Sequence, residues 1–165
     1  MEKCSMKEEK KEAEELVSIL REKKITISTA ESCTGGLIAK LITDIPGSSD
    51  VFTGSVIAYS NDIKHRILNV SEDILNTYGA VSHETVKIMA GNIRNIFKTD
   101  IAIAVSGIAG PGGETPVKKI GTVCFGFAFP DDTNTLTMQF QGSREQVRTR
   151  AAVFAIEYCL KHLLA

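Results

Sequence analysis

The stretch that decides the fold is residues 25–43, ITISTAESCTGGLIAKLIT. Its first part, Ile25–Thr29, is short and rich in β-branched side chains, which predicts a strand. A polar turn with two glycines follows, and the apolar segment Leu37–Thr43 predicts a helix. Strands that alternate with helices are typical of an α/β layered domain, in which ligands bind beyond the carboxyl ends of strands.

The rest of the chain repeats these two kinds of pattern. Strands are predicted at Val51–Tyr59, at the apolar run Ile101–Val105, at Thr122–Phe129 and at Thr135–Phe140. Helices are predicted at residues 7–23, Asn61–Leu68, from Ser71, at 83–97 and from Ser143. The last two strands are joined by a short connection, which favours an antiparallel hairpin and makes the sheet mixed.

The composition limits the class of protein. The chain has 165 residues with 19 basic and 20 acidic side chains, a net charge of −1. One domain over residues 1–165 is expected at this length, and the charged residues 1–7 are candidates for disorder. Near-zero net charge argues against nucleic-acid binding. No run of about 18 apolar residues occurs, so no membrane association is expected.

The four cysteines indicate the compartment. Cys4, Cys33, Cys124 and Cys159 form no CxxC pair, so neither a zinc site nor a dithiol redox motif is predicted. The first fifteen residues are mostly Lys and Glu and lack the apolar segment of a signal peptide. We therefore expect free thiols in a reducing, cytoplasmic compartment.

Ser32 lies in the polar turn between the first strand and its helix. A hydroxyl beside the free N–H groups of a helix start has what an acyl-transfer nucleophile needs. The same position also suits a helix cap formed by Ser32 or Thr34. The residues alone leave both interpretations open.

A nucleophilic serine requires a base, and the histidines offer no persuasive one. His83 and His162 fit the ends of helices, and His65 lies on a helix face that the pattern leaves unclear. Lys64 follows the second strand and can act as a base if burial lowers its pKa. Tyr59 can orient this lysine or relay its proton. A solvent-facing lysine and a half-buried strand tyrosine are the alternatives.

A second glycine-rich segment, SGIAGPGG at 106–113, follows the strand at Ile101–Val105. It has neither the spacing of a dinucleotide-binding loop nor that of a P-loop. Its backbone amides could still contact a phosphate or a carboxylate. Arg144 and Arg148, in the first turns of the last helix, suit phosphate or an exposed surface.

Several motifs then occur in one order: TAESCTGG at 29–36, ITDIPGSS at 42–49, YSNDIK at 59–64, GAVS at 79–82, SGIAGP at 106–111, IGTV at 120–123 and GSREQVR at 142–148. With these motifs the chain resembles the CinA C-terminal domain family, which includes stand-alone nicotinamide-nucleotide amidohydrolases. The resemblance covers about residues 10–164. It implies a three-layer α/β/α sandwich around a mixed, mostly parallel sheet. It also implies that the protein self-associates and needs no metal or cofactor.

The resemblance also implies a reaction, hydrolysis of the carboxamide of nicotinamide mononucleotide to nicotinate mononucleotide and ammonia. By position it implies Ser32 as nucleophile, Lys64 as general base and Tyr59 as the assisting residue. The backbone of Cys33, Thr34, Gly35 and Gly36 would hold the oxyanion. The nucleotide side of the cleft would be lined by Ser48, Gly107, Ile108, Ala109, Gly110 and Arg144.

The chain departs from the family pattern at Pro116–Lys119, where members often have a longer acidic stretch and a Lys-Pro pair. This difference leaves the substrate preference open. The other CinA domain is absent from this sequence, so its pyrophosphatase activity is not expected. Two alternatives stand beside the serine amidase: an amidase that depends on Cys33, and a non-catalytic nucleotide-binding module that regulates a partner.

Overall fold

A computed structural model describes residues 6–165, with side chains from Lys10 onward. Of residues 1–7, which are candidates for disorder, residues 1–5 lie outside the described residues, and residues 6 and 7 belong to the first helix. The elements are helix α1 (Met6–Lys23), strand β1 (Ile27–Glu31), helix α2 (Leu37–Thr43), a 3₁₀ turn (Ser48–Asp50), β2 (Phe52–Ile57), α3 (Asn61–Arg66), α4 (Glu72–Tyr78), α5 (His83–Phe97), β3 (Ile101–Gly107), β4 (Thr122–Ala128), β5 (Thr133–Gln139) and α6 (Arg144–Leu164).

The five strands form one sheet in the order β2-β1-β3-β4-β5. β1 is parallel to β2 and to β3, whereas β4 is antiparallel to both of its neighbours. Four strands therefore run in one direction, and the predicted mixed sheet is confirmed. We call the edge at which β1, β2 and β3 end the carboxyl edge of the sheet.

Helices cover both faces of the sheet, which confirms the three-layer architecture. α1, α2 and α6 pack together on one face, where Leu16, Leu20 and Phe125 are fully buried. α5 covers the other face with Met89 and Ile93, assisted by α3 and α4. Burial of each such side chain contributes about 1.5–3 kcal/mol, so this apolar packing holds the carboxyl edge in a defined shape.

β1 spans Ile27–Glu31 rather than Ile25–Thr29, and β3 extends to Gly107 rather than Val105. β1 begins at Ile27 rather than Ile25 because the Ile25 N–H still donates to the Leu20 carbonyl at the end of α1 (2.9 Å). β3 continues past Val105 because Ser106 and Gly107 pair with β4. The first shift comes from a local bond that extends the end of α1, whereas the second comes from pairing with a distant strand, which local patterns do not contain.

The other predicted elements differ by at most two residues at the ends that were predicted. β2 ends at Ile57, so Tyr59 lies in the connection after the strand rather than within it. The predicted capping box at the start of α6 is present, because Ser143 and Gln146 each accept the other's backbone N–H. Within the described residues, the helices are all too short or too polar to cross a membrane.

Candidate active site

Ser32 stands at the carboxyl edge, directly after β1. Its backbone N–H donates to the Val105 carbonyl of β3 at 3.0 Å, so the sheet geometry continues through this residue. The chain then turns, and α2 begins five residues later. The side chain of Ser32 is only 7% exposed. Hydrogen bonding to β3 therefore fixes the backbone of Ser32 at the first position of the turn.

Lys64 reaches Ser32 from α3, the helix that follows β2. The Ser60 hydroxyl caps α3 by accepting the Ile63 N–H at 3.2 Å. Because β1 and β2 are parallel, both connections leave the sheet at the same edge. The Lys64 Nζ donates to the Ser32 Oγ at 3.0 Å and to the Ala58 carbonyl at 2.7 Å.

Burial changes the acid–base behaviour of Lys64. Its side chain is 1% exposed, and no Asp or Glu among the described residues forms an ion pair with it. Loss of hydration lowers the pKa of Lys64 from 10.5 to about 8, against a smaller opposing effect from Cys33. A neutral amine within hydrogen-bond distance of a serine hydroxyl can accept its proton.

The sequence suggested that N–H groups at the start of α2 are free to bind a ligand, but the protein already uses three of them. The buried carboxylate of Glu31 accepts the N–H groups of Gly36 (3.0 Å), Ile38 (3.1 Å) and Ala39 (2.8 Å). The Gly35 N–H donates to the Ser32 carbonyl at 3.0 Å. This is a correction: Gly35 and Gly36 cannot hold an oxyanion with N–H groups that the protein already uses.

The N–H groups of Cys33 and Thr34 remain as candidates for the oxyanion. Neither donates to the backbone or side chain of another described residue. They belong to the two residues that follow Ser32, so they are the unused backbone donors nearest to it along the turn. Of residues 33–36, only Cys33 and Thr34 thus remain candidates for binding the oxyanion.

The thiol of Cys33 is poorly placed to act as a nucleophile. Its side chain is buried, 5% exposed, and packs toward Gly107 at the end of β3. Burial raises the pKa of the Cys33 thiol from 9.0 to about 12. The reactive species is the thiolate, so the structure offers the Cys33-dependent alternative no support.

The loop after β3 also lies at the carboxyl edge. The backbone of Ile108 pairs with Thr122 and Gly121 of the β4 entrance, and Ala109 is buried. The Gly110 carbonyl accepts the Arg144 Nη1 at 2.8 Å. These contacts join the predicted loop residues, Gly107 to Gly110, to the start of α6.

Arg144 links this loop to Tyr59. Its Nη2 donates to the Tyr59 hydroxyl at 2.9 Å. The Tyr59 side chain is 60% exposed, and only its backbone carbonyl faces the Lys64 Nζ, at 3.5 Å. The phenol therefore contacts Arg144 and not the lysine that it was predicted to assist.

Ser48 lies far from the other predicted residues. It begins the 3₁₀ turn that precedes β2, and the next residues pair with the start of β1. Ser48 is therefore at the opposite edge of the sheet, across the length of β1, about 13 Å at 3.3 Å per residue. Within this chain, the structure does not bring Ser48 to Ser32, because parallel strands keep their starts and ends apart.

The sequence did not single out Ser106 as a site residue, and it suited Arg148 to phosphate or an exposed surface rather than to the turn. Ser106 is 1% exposed, and the register of β1 and β3 places it beside Ser32 on the same face of the sheet. Arg148 of α6 donates to the carbonyls of Cys33 and Thr34, at 3.0 Å each. The strand-end rule could have identified Ser106, whereas the contacts of Arg148 span more than 110 residues.

A ligand at the carboxyl edge would meet side chains and backbone N–H groups of the protein. Within the part of the chain that the structure describes, His, Cys, Asp and Glu form no group of three that could hold a metal ion. The edge combines the Ser32 hydroxyl and the buried Lys64 amine, 3.0 Å apart, with N–H donors of the turn and the exposed Arg144, a cation that suits an anionic substituent. This arrangement can carry out acyl transfer on a small, anionic substrate.

Known proteins are similar to this sequence over almost its whole length. The sequence model of the CinA C-terminal domain matches residues 9–163. A CinA-like protein of Thermotoga neapolitana is 48% identical over 158 residues, which cover 96% of this chain but 38% of that protein. The chain thus spans about two-fifths of the length of such relatives. The nicotinamide-nucleotide amidohydrolase PncC of Enterobacter agglomerans is 48% identical over 91% of this chain and 92% of its own length.

Solved structures agree with the sequence comparison. The competence or damage-inducible protein of Enterobacter asburiae superposes with a TM-score of 0.91 at 35% identity, covering 94% of this chain and 98% of that chain. A CinA-superfamily protein of Escherichia coli gives a TM-score of 0.91 at 27% identity. On the family match, the identities and these superpositions, the chain belongs to the CinA C-terminal domain family.

Proposed function

We propose that this protein hydrolyses the carboxamide of nicotinamide mononucleotide to nicotinate mononucleotide and ammonia. The observation that carries the proposal is the buried Lys64 Nζ, 3.0 Å from the Ser32 Oγ. The similarity to the amidohydrolase PncC, along nearly the full length of both chains, supports the choice of substrate.

The first half of the reaction forms an ester. Neutral Lys64 takes the Ser32 proton as the Oγ attacks the carboxamide carbon. The N–H groups of Cys33 and Thr34 stabilise the negative charge on the carbonyl oxygen. The protonated Lys64 then returns the proton to the amide nitrogen, the C–N bond breaks and ammonia leaves.

The second half regenerates the enzyme. A water molecule gives a proton to Lys64 as its oxygen attacks the ester carbon, and the same N–H groups hold the second oxyanion. Collapse of this intermediate returns the proton to the Ser32 oxygen and releases the carboxylic acid. With a pKa of about 8, about a tenth of Lys64 is neutral at pH 7.

Ammonia release from nicotinamide mononucleotide tests the proposal. We expect turnover by the wild-type chain, none by Ser32→Ala, and a fall of about 10²–10⁴-fold in kcat for Lys64→Met. Lys40→Met, which changes an exposed lysine of α2, is the matched control and should retain wild-type turnover. Nicotinamide, its riboside and the dinucleotide, assayed in parallel, establish which amide is preferred.

The same assay separates the alternatives. Undiminished ammonia release by Ser32→Ala would exclude Ser32 as the nucleophile, and loss of activity in Cys33→Ala alone would favour the thiol. Saturable nucleotide binding without any turnover would favour a regulatory binding module. Self-association and a cytoplasmic location stay predictions. Sedimentation of the purified chain tests the first, and localisation of the tagged chain in cells tests the second.

A further inference from the structure

Glu31 is a fully buried carboxylate next to the proposed nucleophile. Its side chain is 0% exposed and lies at the last position of β1. One oxygen accepts the Thr34 hydroxyl at 2.6 Å together with the N–H groups of Gly36 and Ile38. The other oxygen accepts the Ala39 N–H at 2.8 Å. An acceptor-only group with this many donors is satisfied only as a carboxylate.

These contacts replace the usual cap of helix α2. The N-cap residue of α2 is Gly36, with φ of 98° and no side-chain cap of its own. Glu31 reaches forward over the turn and takes the N–H groups that a Ser or Asp cap would take. The carboxylate therefore ties β1, the turn and the first residues of α2 into one unit.

The turn is also held from outside. Arg148 donates to the Cys33 and Thr34 carbonyls, and its Nη2 would lie 3.0 Å from a methyl added at Gly35. With carbonyls directed at Arg148 and later N–H groups directed at Glu31, the Cys33 and Thr34 N–H groups are the backbone donors left to the substrate side.

We propose that Glu31 is the positioning residue of the site: its carboxylate holds the turn 32–36 so that the Ser32 Oγ and the Cys33 and Thr34 N–H groups converge on one carbonyl. Glu31 does not touch the reacting atoms. For the reaction that it serves, this inference rests on the proposed amidohydrolase function.

The negative charge of Glu31 argues for a positional role. A carboxylate next to the turn opposes the formation of an oxyanion there. Its field also contributes to the raised pKa of the Cys33 thiol. If Glu31 acted only through its charge, a neutral residue would improve catalysis. A positional role predicts the opposite result, because glutamine has one acceptor oxygen with two lone pairs, and its NH₂ group would face donors that the second carboxylate oxygen now accepts.

Glu31→Gln in the full chain tests the proposal with nicotinamide mononucleotide as substrate. Since a displacement of about 1 Å can cost about 10²-fold in rate, we expect kcat to fall about 100-fold with KM little changed. The midpoint of the pH profile should stay where it is, because Lys64 has no contact with Glu31. Amide hydrogen exchange at Gly36, Ile38 and Ala39 should become faster.

Asp100→Asn is the matched control. Asp100 accepts the Thr26 N–H at 2.7 Å and the Thr26 hydroxyl at 2.8 Å at the opposite edge of the sheet. Loss of this carboxylate should lower the free energy of unfolding and leave kcat unchanged. A kcat for Glu31→Gln equal to or above that of the wild type would overturn the proposal.

Two further measurements keep the test decisive. If Glu31→Gln does not fold, Thr34→Val removes one donor to Glu31 and should lower kcat several-fold with KM unchanged. An unchanged kcat would contradict the proposal. If the wild-type chain releases no ammonia, the proposed function fails, and hydrogen exchange alone decides the positional role. Unchanged exchange at residues 36–39 in Glu31→Gln would then reject it.

Discussion

At the scale of single residues, Lys64 combines the role that we propose for it with a cost in stability. A lysine that is 1% exposed loses its hydration, and the bond to the Ala58 carbonyl compensates only in part. The lowered pKa measures this cost. Residues under such a conflict are typical of active sites rather than of cores.

The pKa of Lys64 sets the expected pH dependence of the reaction. The amine is active when neutral, so kcat/KM should rise up to tenfold per pH unit below about 8 and level off above it. Initial rates at low substrate concentration between pH 6 and 9.5 give this profile. A profile that is flat from pH 6 to 8 would contradict Lys64 as the base.

The same pKa predicts that Lys64→Met is the more stable protein at pH 7. The folded pKa of about 8 lies below the ordinary 10.5, so the charged form costs about 3 kcal/mol below pH 8. After about 1–3 kcal/mol is subtracted for the unpaired Ala58 carbonyl, we expect a gain of about 1 kcal/mol in urea unfolding.

The pH dependence of the stability difference between Lys64→Met and the wild type provides a second check. Between pH 8 and 10.5 the unfolded chain binds the Lys64 proton more tightly, so wild-type stability rises relative to the variant in that window. The advantage of Lys64→Met should therefore shrink with pH. Lys40→Met should show no such trend, and a Lys64→Met protein that is less stable at pH 7 would contradict the argument.

At the scale of elements, the end of β3 must approach the turn closely. A methyl added at Gly107 would lie 2.7 Å from the Val123 Cγ2 and 3.0 Å from the Cys33 Sγ. Real contacts of this kind are wider, so either β4 or the turn must move. Gly107 therefore allows β3 to pack closely against β4 and against Cys33 in the turn.

Gly107→Ala should both destabilise the protein and displace the turn. We expect a loss of about 1–3 kcal/mol in urea unfolding, as for overpacked cores, with a fall in kcat. Gly91→Ala in α5 is the matched control, since an added methyl there meets no described atom within 4 Å. Because alanine favours a helix over glycine by about 1 kcal/mol, that variant should gain stability. Equal behaviour of the two variants would refute the close-approach argument.

At the scale of the whole molecule, the packing of α1 against α6 brings two carboxyl groups together. Burial, together with a hydrogen bond to the neighbouring Glu157 carboxyl, raises the pKa of Glu12 from 4.5 to about 7. The folded chain thus binds this proton more tightly than the unfolded chain. The stability that it contributes is present below pH 4.5 and is lost as the pH rises through about 7.

Glu157→Gln should reduce this pH dependence, since it removes the effect of the neighbouring carboxyl and leaves that of burial. A glutamine amide can donate to the Glu12 carboxylate without repelling it, so we expect a gain at pH 8 and little change at pH 5. Because the pair is partly solvent-screened, the gain should not exceed about 1 kcal/mol. Glu14→Gln, on an exposed part of α1, is the control for charge alone. Urea unfolding at both pH values provides the measurement, and an equal effect at pH 5 and 8 would be contrary to this account.

The sequence by itself determined the elements and the two central candidates of the site. Strand, turn and helix at residues 25–43, the capping box of Ser143 and the hairpin follow from local spacing, turn residues and apolar periodicity. Ser32 and Lys64 could be selected because each follows a strand in a polar connection. The family motifs gave them roles that remain predictions.

Only the tertiary structure decided which groups meet. The Lys64–Ser32 contact spans 32 residues and the Arg144–Tyr59 contact spans 85. Both depend on strand order, direction and register, which no local pattern contains. The same topology places Ser48 at the opposite edge of the sheet. The N–H groups at the start of α2 are bound by the Glu31 carboxylate. Sequence spacing determines which segments become strands and helices, whereas the pairing of strands determines which side chains share a site.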